Sequence, residues 1–220
     1  MCGRYALFSL PADVIESILG FVPIDEHGLL VPRWNIAPTQ RAPVFRVDGD
    51  GGRRLDALRW GLVPAWADGL KFGARCINAR AETVATQPAF RAAYKSRRCL
   101  VPASHFYEWS KDATPRRPYA FRDPSGAPLT FAGLWESWTD KSTGEVVETY
   151  AIVTTAANDV VRPVHDRMPV VVARADREAW LDPKSRDAGK LLVPWIGAME
   201  GKPVAATIND ARRDERPDGL

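Results

Sequence analysis

The sequence predicts an α+β domain: a curved, mostly antiparallel sheet or an open β-barrel, with a few helices packed outside it. Three observations carry that expectation. Runs of apolar and β-branched residues with strand character dominate the chain. They do not alternate with helices in the regular manner of a parallel βαβ fold. The turn dipeptides Asp48-Gly49 and Thr143-Gly144 join neighbouring runs as hairpins. Length agrees, since 220 residues, 45% of them hydrophobic, suffice for one sizeable core. The expected organisation is a single domain over residues 1–210, then a flexible tail over 211–220 rich in Arg, Asp and Pro.

Taken in order, residues 10–19 read as a short helix. Pro11 lies near its first turn, Val14, Ile15, Ile18 and Leu19 share one side, and Gly20 stops it. Strands follow at 42–47 and 54–60. Residues 87–97 read as a second helix, with Thr86 as N-cap, Pro88 in the first turn, and Phe90, Ala93 and Tyr94 facing inward. Further strands are expected at 119–122, 129–137, 147–155 and 168–172. A third helical stretch, roughly 175–192, is interrupted at Asp182-Pro183. The segments 60–82 and 101–117 read as long loops. They carry Trp, Arg, Asn and Glu where a plain connection uses Gly, Ser and Asp, which marks them as functional.

Composition narrows the classes of function. The longest apolar runs, such as Leu191 to Ile196, are too short to span a bilayer, and Arg4, Ser9 and Asp13 interrupt any signal-peptide core. Three cysteines without CxxC spacing argue against a disulfide framework or a zinc site and fit a reducing cytosol. Cys76 and Cys99 read as ordinary buried thiols. Residues 1–117 hold 17 Lys/Arg against 11 Asp/Glu, and residues 118–220 hold 13 against 16. That asymmetry fits either a phosphate-binding face built from the first half or an ordinary solvated surface. Trp34, Trp60, Trp66 and Trp109 lie near Arg33, Arg59, Arg75 and Lys111. Cations interleaved with flat faces suit single-stranded nucleic acid, although most tryptophans serve as core.

The N-terminus, Met1-Cys2-Gly3-Arg4, is the most informative segment. Removal of the initiator methionine would leave Cys2 with a thiol and a free α-amine on adjacent carbons. An α-amine titrates near ~7.7–8.0 and a lysine near ~10.4, so far more of the terminal amine is neutral at pH 7. A 1,2-aminothiol condenses with an aldehyde to an imine, and the thiol then closes a thiazolidine ring.

Further motifs accompany it: Trp34 to Thr39, the run Arg59 to Trp66, Asn78-Ala79-Arg80-Ala81-Glu82-Thr83, His105-Phe106-Tyr107-Glu108-Trp109, and Pro163-Val164-His165-Asp166-Arg167-Met168-Pro169. In this order, from residue 2 to about residue 210, they resemble the SRAP (SOS-response-associated peptidase) family, whose members crosslink to abasic sites in DNA. The resemblance implies the SRAP fold. It also implies a DNA-damage function in which Cys2 forms a thiazolidine link with the ring-opened abasic aldehyde in single-stranded DNA. By the same resemblance Asn78 holds the sugar and the Cys2 amine. Glu108 shuttles protons, and burial between aromatics would raise its pKa for that work. His165 assists ring opening or holds a phosphate. Arg4, Arg80 and Arg167 match the phosphate contacts, Trp66 a wedge or stacking platform, Trp109 a DNA-facing aromatic, and Pro38 a pocket wall. His105 stands where many members carry glycine, close to Glu108. His27, in an expected surface loop, is given no role.

Each residue has a plainer reading: Glu108 as a salt-bridged rim residue, His165 as a structural partner of Asp166, Asn78 as a cap. Two other functions stay open beside aldehyde capture. One is a thiol peptidase acting on the bond after Met1; the other is a single-strand binder in which Cys2 is incidental. No metal, cofactor or membrane is expected, and neither a Walker loop nor an HExxH pattern occurs. The expected setting is a cytoplasmic monomer, nucleoid-associated during DNA damage, with single-stranded DNA carrying abasic sites as its partner.

Overall fold

The computed structural model describes residues 2–20, 28–48, 50–111 and 114–220. Within them the chain runs β1 (Tyr5–Leu7), α1 (Ala12–Leu19), β2 (Arg33–Ile36), β3 (Arg41–Val47), β4 (Arg53–Trp60), β5 (Asn78–Arg80), α2 (Arg91–Ser96), β6 (Arg98–Ala103), β7 (His105–Trp109), β8 (Pro118–Arg122), β9 (Leu129–Thr139), β10 (Val146–Ala156), β11 (Arg167–Pro169), α3 (Arg177–Leu181) and β12 (Glu200–Pro203). The class is α+β, as the sequence predicts.

Five strands close on themselves. β3 pairs antiparallel with β4 and β6, β6 with β9, and β9 with β10. A parallel pairing of β10 with β4 completes the ring. The barrel is therefore closed, whereas the sequence suggested a curved sheet or an open one. Closure removes the exposed edges that an open sheet of these apolar strands would present. Strand alternation sorts side chains into two cores. Ala42, Val44, Leu58, Trp60, Cys99, Val101, Phe131, Tyr150 and Ile152 fill the interior. Phe45, Leu100, Ala132, Leu134, Ala151 and Val153 face outward, under Ile15 and Ile18 of α1, Ala93 of α2 and Trp180 of α3. A second antiparallel sheet, ordered β12-β8-β7-β1-β2, lays Tyr5, Phe106 and Phe121 on the interior core.

The hairpins join β3 to β4 and β9 to β10 where expected. Gly144 has a φ of +74°, which the second turn requires and a side chain resists. Gly49 of the first turn, like His27 and Met1, lies outside the described residues. The first helix is also as read: Gly20, at φ +83°, donates its N–H to the carbonyl of Glu16.

Several expectations change. Residues 101–117 are no plain loop, since 101–103 end β6 and 105–109 are β7. Both strands are buried on both faces and so lack the alternation that announces a half-buried strand. The segment 60–82 contains a 3-10 turn (Leu70–Arg75) and the short β5. The helix expected over 87–97 covers only Arg91–Ser96. Thr86 caps nothing, and its hydroxyl donates to the carbonyl of Thr83. The stretch 175–192 breaks into α3 between two 3-10 turns, because Asp182 is extended before Pro183. Strand 168–172 shortens to β11, beyond which Val171 makes one bridge to Phe131. Residues 211–220 make side-chain contacts with β2. The Asp214 carboxylate accepts the N–H groups of Trp34 (2.6 Å) and Asn35 (2.8 Å) and pairs with Arg33.

Candidate active site

Residues from four separate segments meet at one end of the barrel. β1 brings the first: Tyr5 enters the interior, where its hydroxyl lies 2.7 Å from that of Tyr150. Cys2, just upstream, packs into the same core and is fully buried. β5 brings the second. Asn78 pairs with Ile152 of β10, and paired residues share a face, so Asn78 points inward with Ile152 while Ala79 joins the outer core. Its side-chain amide donates to the Cys2 carbonyl at 2.7 Å. The Cys2 thiol donates weakly to the carbonyl of Arg4, 3.6 Å away.

β7 brings the third. Phe106 and Glu108 share the inward face, and Glu108 is 2% exposed. Burial pushes its carboxyl up to about 7, and the negative charge of Asp166 adds to the rise. The 157–166 connection brings the fourth. It is shaped by the Asn158 side chain, which accepts the Val161 N–H, and by the His165 N–H bonding back to Val161. His165 Nε2 then lies 3.9 Å from Glu108 Oε2. Its Nδ1 accepts the Arg167 N–H at 3.0 Å, which assigns the ring proton to Nε2, facing Glu108. In that tautomer the 3.2 Å approach of Asp166 to Nδ1 is no hydrogen bond. Burial lowers the His165 pKa, so the ring is neutral at pH 7. Burial, and then the Glu108 charge, push the Cys2 thiol far up. The site is a buried cluster of a protonated thiol, a carboxyl poised near neutrality, a neutral imidazole and an oriented amide.

The six expected DNA contacts are spread around this centre. Arg80 is exposed on the same face of β5 as Asn78. Arg167 flanks the same part of β10, giving a hydrogen bond to the Thr154 carbonyl at 2.6 Å and a bidentate pair to Glu82 at 2.5 and 3.0 Å. The Arg4 guanidinium donates to Asn35 Oδ1 (3.0 Å) and the Ile208 carbonyl (2.8 Å). Trp109 lies on the face of β7 opposite Glu108 and donates to Asn209 Oδ1 at 2.7 Å. Trp66 is 56% exposed, its ring edge-on to Phe72 at 5.1 Å, with Arg75 over the Phe72 ring. Pro38 is half-buried in a turn whose next residue, Thr39, has a φ of +74°. A β-branched residue there is strained, and the Thr39 N–H bond to Trp60 (2.9 Å) helps to hold it.

Residue-by-residue reading missed three participants. Glu82 neutralises Arg167; it lies inside the Asn78–Thr83 motif without an assigned role, because nothing in the sequence pairs it across to β11. Asn35, fully buried, orients Arg4 and gives its own amide to the carbonyls of Asp210 (2.9 Å) and Arg213 (2.7 Å). It lies inside the Trp34–Thr39 motif, where a polar residue between Trp34 and Ile36 is the available signal. Asp214 anchors that strand from the C-terminal segment, and no local pattern marks it. His105 faces away from Glu108. It pairs with Ala6, tilts against Phe8 at 5.1 Å, and burial lowers its pKa to about 4. Among the described residues no cluster of three or more His, Cys, Asp or Glu could hold a metal ion, and no helix is long and apolar enough to cross a membrane.

A family model described as SOS response associated peptidase (SRAP) matches residues 1–211. Among individual proteins, the chain is 38% identical to abasic site processing protein YoaM of Bacillus subtilis, covering 97% of this chain and 95% of that one. It is 30% identical to abasic site processing protein HMCES of Xenopus tropicalis, covering 97% and 76%. A crystal structure of a phage-related protein from Bordetella bronchiseptica superposes with a TM-score of 0.70 at 31% identity, covering 92% of this chain and 94% of that one. A Bacteroides thetaiotaomicron structure superposes at 0.74 with 26% identity, covering 81% and 82%.

Proposed function

We infer, from the fact that this chain belongs to the SOS response associated peptidase family, that it processes abasic sites in DNA by covalent capture through Cys2. The reading rests on one observation above the others: Cys2 is buried with its carbonyl held by the Asn78 amide at 2.7 Å, beside the buried Glu108 carboxyl that lies 3.9 Å from His165 Nε2. Removal of Met1 exposes the Cys2 amine. That amine attacks the aldehyde carbon of the ring-opened sugar, and the carbinolamine loses one water to give an imine. The Cys2 sulfur then adds to the same carbon while its proton passes to nitrogen, closing a thiazolidine. Glu108 is half protonated near neutral pH, so it can accept a proton from the attacking amine and return one to the departing hydroxyl. The Nε2–H of His165 faces the same carboxyl and suits a donor to the sugar oxygen during ring opening.

The order of steps follows from the thiol. Burial beside Glu108 keeps Cys2 as SH, a poor opening nucleophile. The amine therefore attacks first, and the thiol closes the ring intramolecularly, where its weak ionisation matters less. The same protonated thiol weighs against a general thiol peptidase, which needs a thiolate. Single-stranded DNA suits the exposed Trp66 and the cations Arg80 and Arg75. The test is Cys2→Ala with a single-stranded oligonucleotide carrying one abasic site. Retained noncovalent binding with no denaturation-resistant adduct supports capture. An adduct that survives the substitution contradicts it.

A further inference from the structure

A cavity of about 480 Å³ opens beside Glu108 and is not needed for any step of the capture itself. Its walls are Tyr119 and Phe121 of β8, Val160 and Val164 of the connection that carries His165, and Ser110 and Arg117 at the ends of the β7–β8 pair. Tyr119 pairs directly with Glu108 across the two strands. Directly paired residues share a face with Cα atoms roughly 4.5–5.5 Å apart, so the cavity continues the catalytic face at the next position along it. Phe106 stacks on Phe121 at 5.2 Å, and Phe121 on Tyr119 at 6.4 Å, which makes one aromatic wall running from the site into the cavity. Gly201 of β12 lies against that wall. A Cβ there would approach the Phe121 ring to 2.4 Å, so glycine keeps the strand flat on it. Lys111 and Asp166, 3.0 Å apart, tie the connection carrying Val164 to the segment just after β7 that carries Ser110.

We propose that this cavity receives the base of the nucleotide adjoining the captured sugar. The inference rests on the aldehyde-capture reading and adds to it a dependence on what flanks the lesion. Its size lies within the roughly 300–1,000 Å³ span of small-molecule sites. One side is aromatic and the other aliphatic, which suits a flat ring held between two faces. The polar side chains lining it, the Arg117 guanidinium and the Ser110 and Tyr119 hydroxyls, can donate to the carbonyl and ring-nitrogen acceptors that bases carry. Among the described residues no carboxylate lines it to repel the phosphates on either side. Because every base has a π-face, the cavity selects for the presence of a base more than for its identity.

The experiment compares capture rates, below saturation, for three single-stranded oligonucleotides with one abasic site each. In the first both neighbours carry bases. In the others a tetrahydrofuran spacer, which has no base and cannot open to an aldehyde, replaces the upstream or the downstream neighbour. One spacer oligonucleotide is expected to react about tenfold more slowly, the other at the parent rate. Val160→Trp fills the cavity from an exposed position. It should slow the parent oligonucleotide by the same factor and leave the slow spacer oligonucleotide unchanged. Equal rates for all three with the unsubstituted protein overturn the cavity assignment alone. Absence of any adduct overturns capture itself. A fluorescent purine analogue beside a stable abasic mimic then tests the cavity independently: its emission should change on binding in the parent and not in Val160→Trp, and no difference between them refutes the assignment.

Discussion

Replacing Glu108 by glutamine should make the protein more stable and less active at once, and the two effects should depend on pH differently. The carboxyl is 2% exposed and has its pKa raised from 4.5 to about 7, mainly by burial. Between those values the folded protein holds a proton that the unfolded chain has released. Stability contributed by this group is therefore fully present below about pH 4.5 and is lost as pH rises through about 7. Across that interval, at about 1.36 kcal/mol per pH unit, the loss is about 3 kcal/mol. Glutamine is close in shape and cannot ionise, so it escapes this penalty. Relative to the parent, the variant should gain about 3 kcal/mol between about pH 4.5 and about pH 8. At roughly 2–4 °C per kcal/mol for a chain of this size, that is roughly 6–12 °C in Tm. Thermal or urea unfolding at the two pH values measures it. Over the same range the capture rate should fall by roughly 10²–10⁴, because the proton shuttle is gone. A stability offset that is the same at both pH values would refute the burial argument. An unchanged capture rate would remove Glu108 from the chemistry.

Three further outcomes follow from other parts of the molecule. His105, buried with its pKa lowered to about 4, should destabilise the fold as pH drops from about 6.5 to about 4, by at most about 3 kcal/mol, and His105→Gln should remove that loss in acid unfolding curves. Its window overlaps that of Glu108 with opposite slope, so each is seen only when the other is held fixed. Trp66→Ala should weaken noncovalent binding of single-stranded DNA by about 1–3 kcal/mol, read by fluorescence anisotropy, with an unfolding midpoint close to the parent because the ring is 56% exposed. Glu82→Gln should release Arg167 from its bidentate partner and steepen the dependence of log K on log salt by about 0.7; an unchanged slope would mean that Arg167 does not meet a phosphate.

The sequence made some of these elements legible and hid others for physical reasons. The β3–β4 and β9–β10 hairpins and α1 carry local signals, namely a turn dipeptide, alternation and a glycine stop. β6 and β7 do not, because strands buried on both faces have no polar face to alternate with. β1 and β5 are three residues each, too short for any period to show. The residues that meet at the site were legible as motifs, but the facing of Glu108 and Asn78 was not, because it follows from strand parity in β7 and β5, which the sequence does not show as strands. Nor were their partners. Glu82 meets Arg167, and Asn35 meets Arg4, only because β5, β11, β1 and β2 converge in three dimensions. His105 illustrates the same limit: three positions from Glu108 in sequence, it faces the opposite layer because that odd interval inverts strand parity.

The most direct test of aldehyde capture is intact mass after mixing the protein with a single-stranded oligonucleotide that bears one abasic site. The expected result is a heat- and salt-stable adduct on protein lacking Met1, at the summed masses less one water, and absent from Cys2→Ala. A protein proven to begin at Cys2 that yields no adduct would contradict the capture chemistry and leave a noncovalent DNA binder.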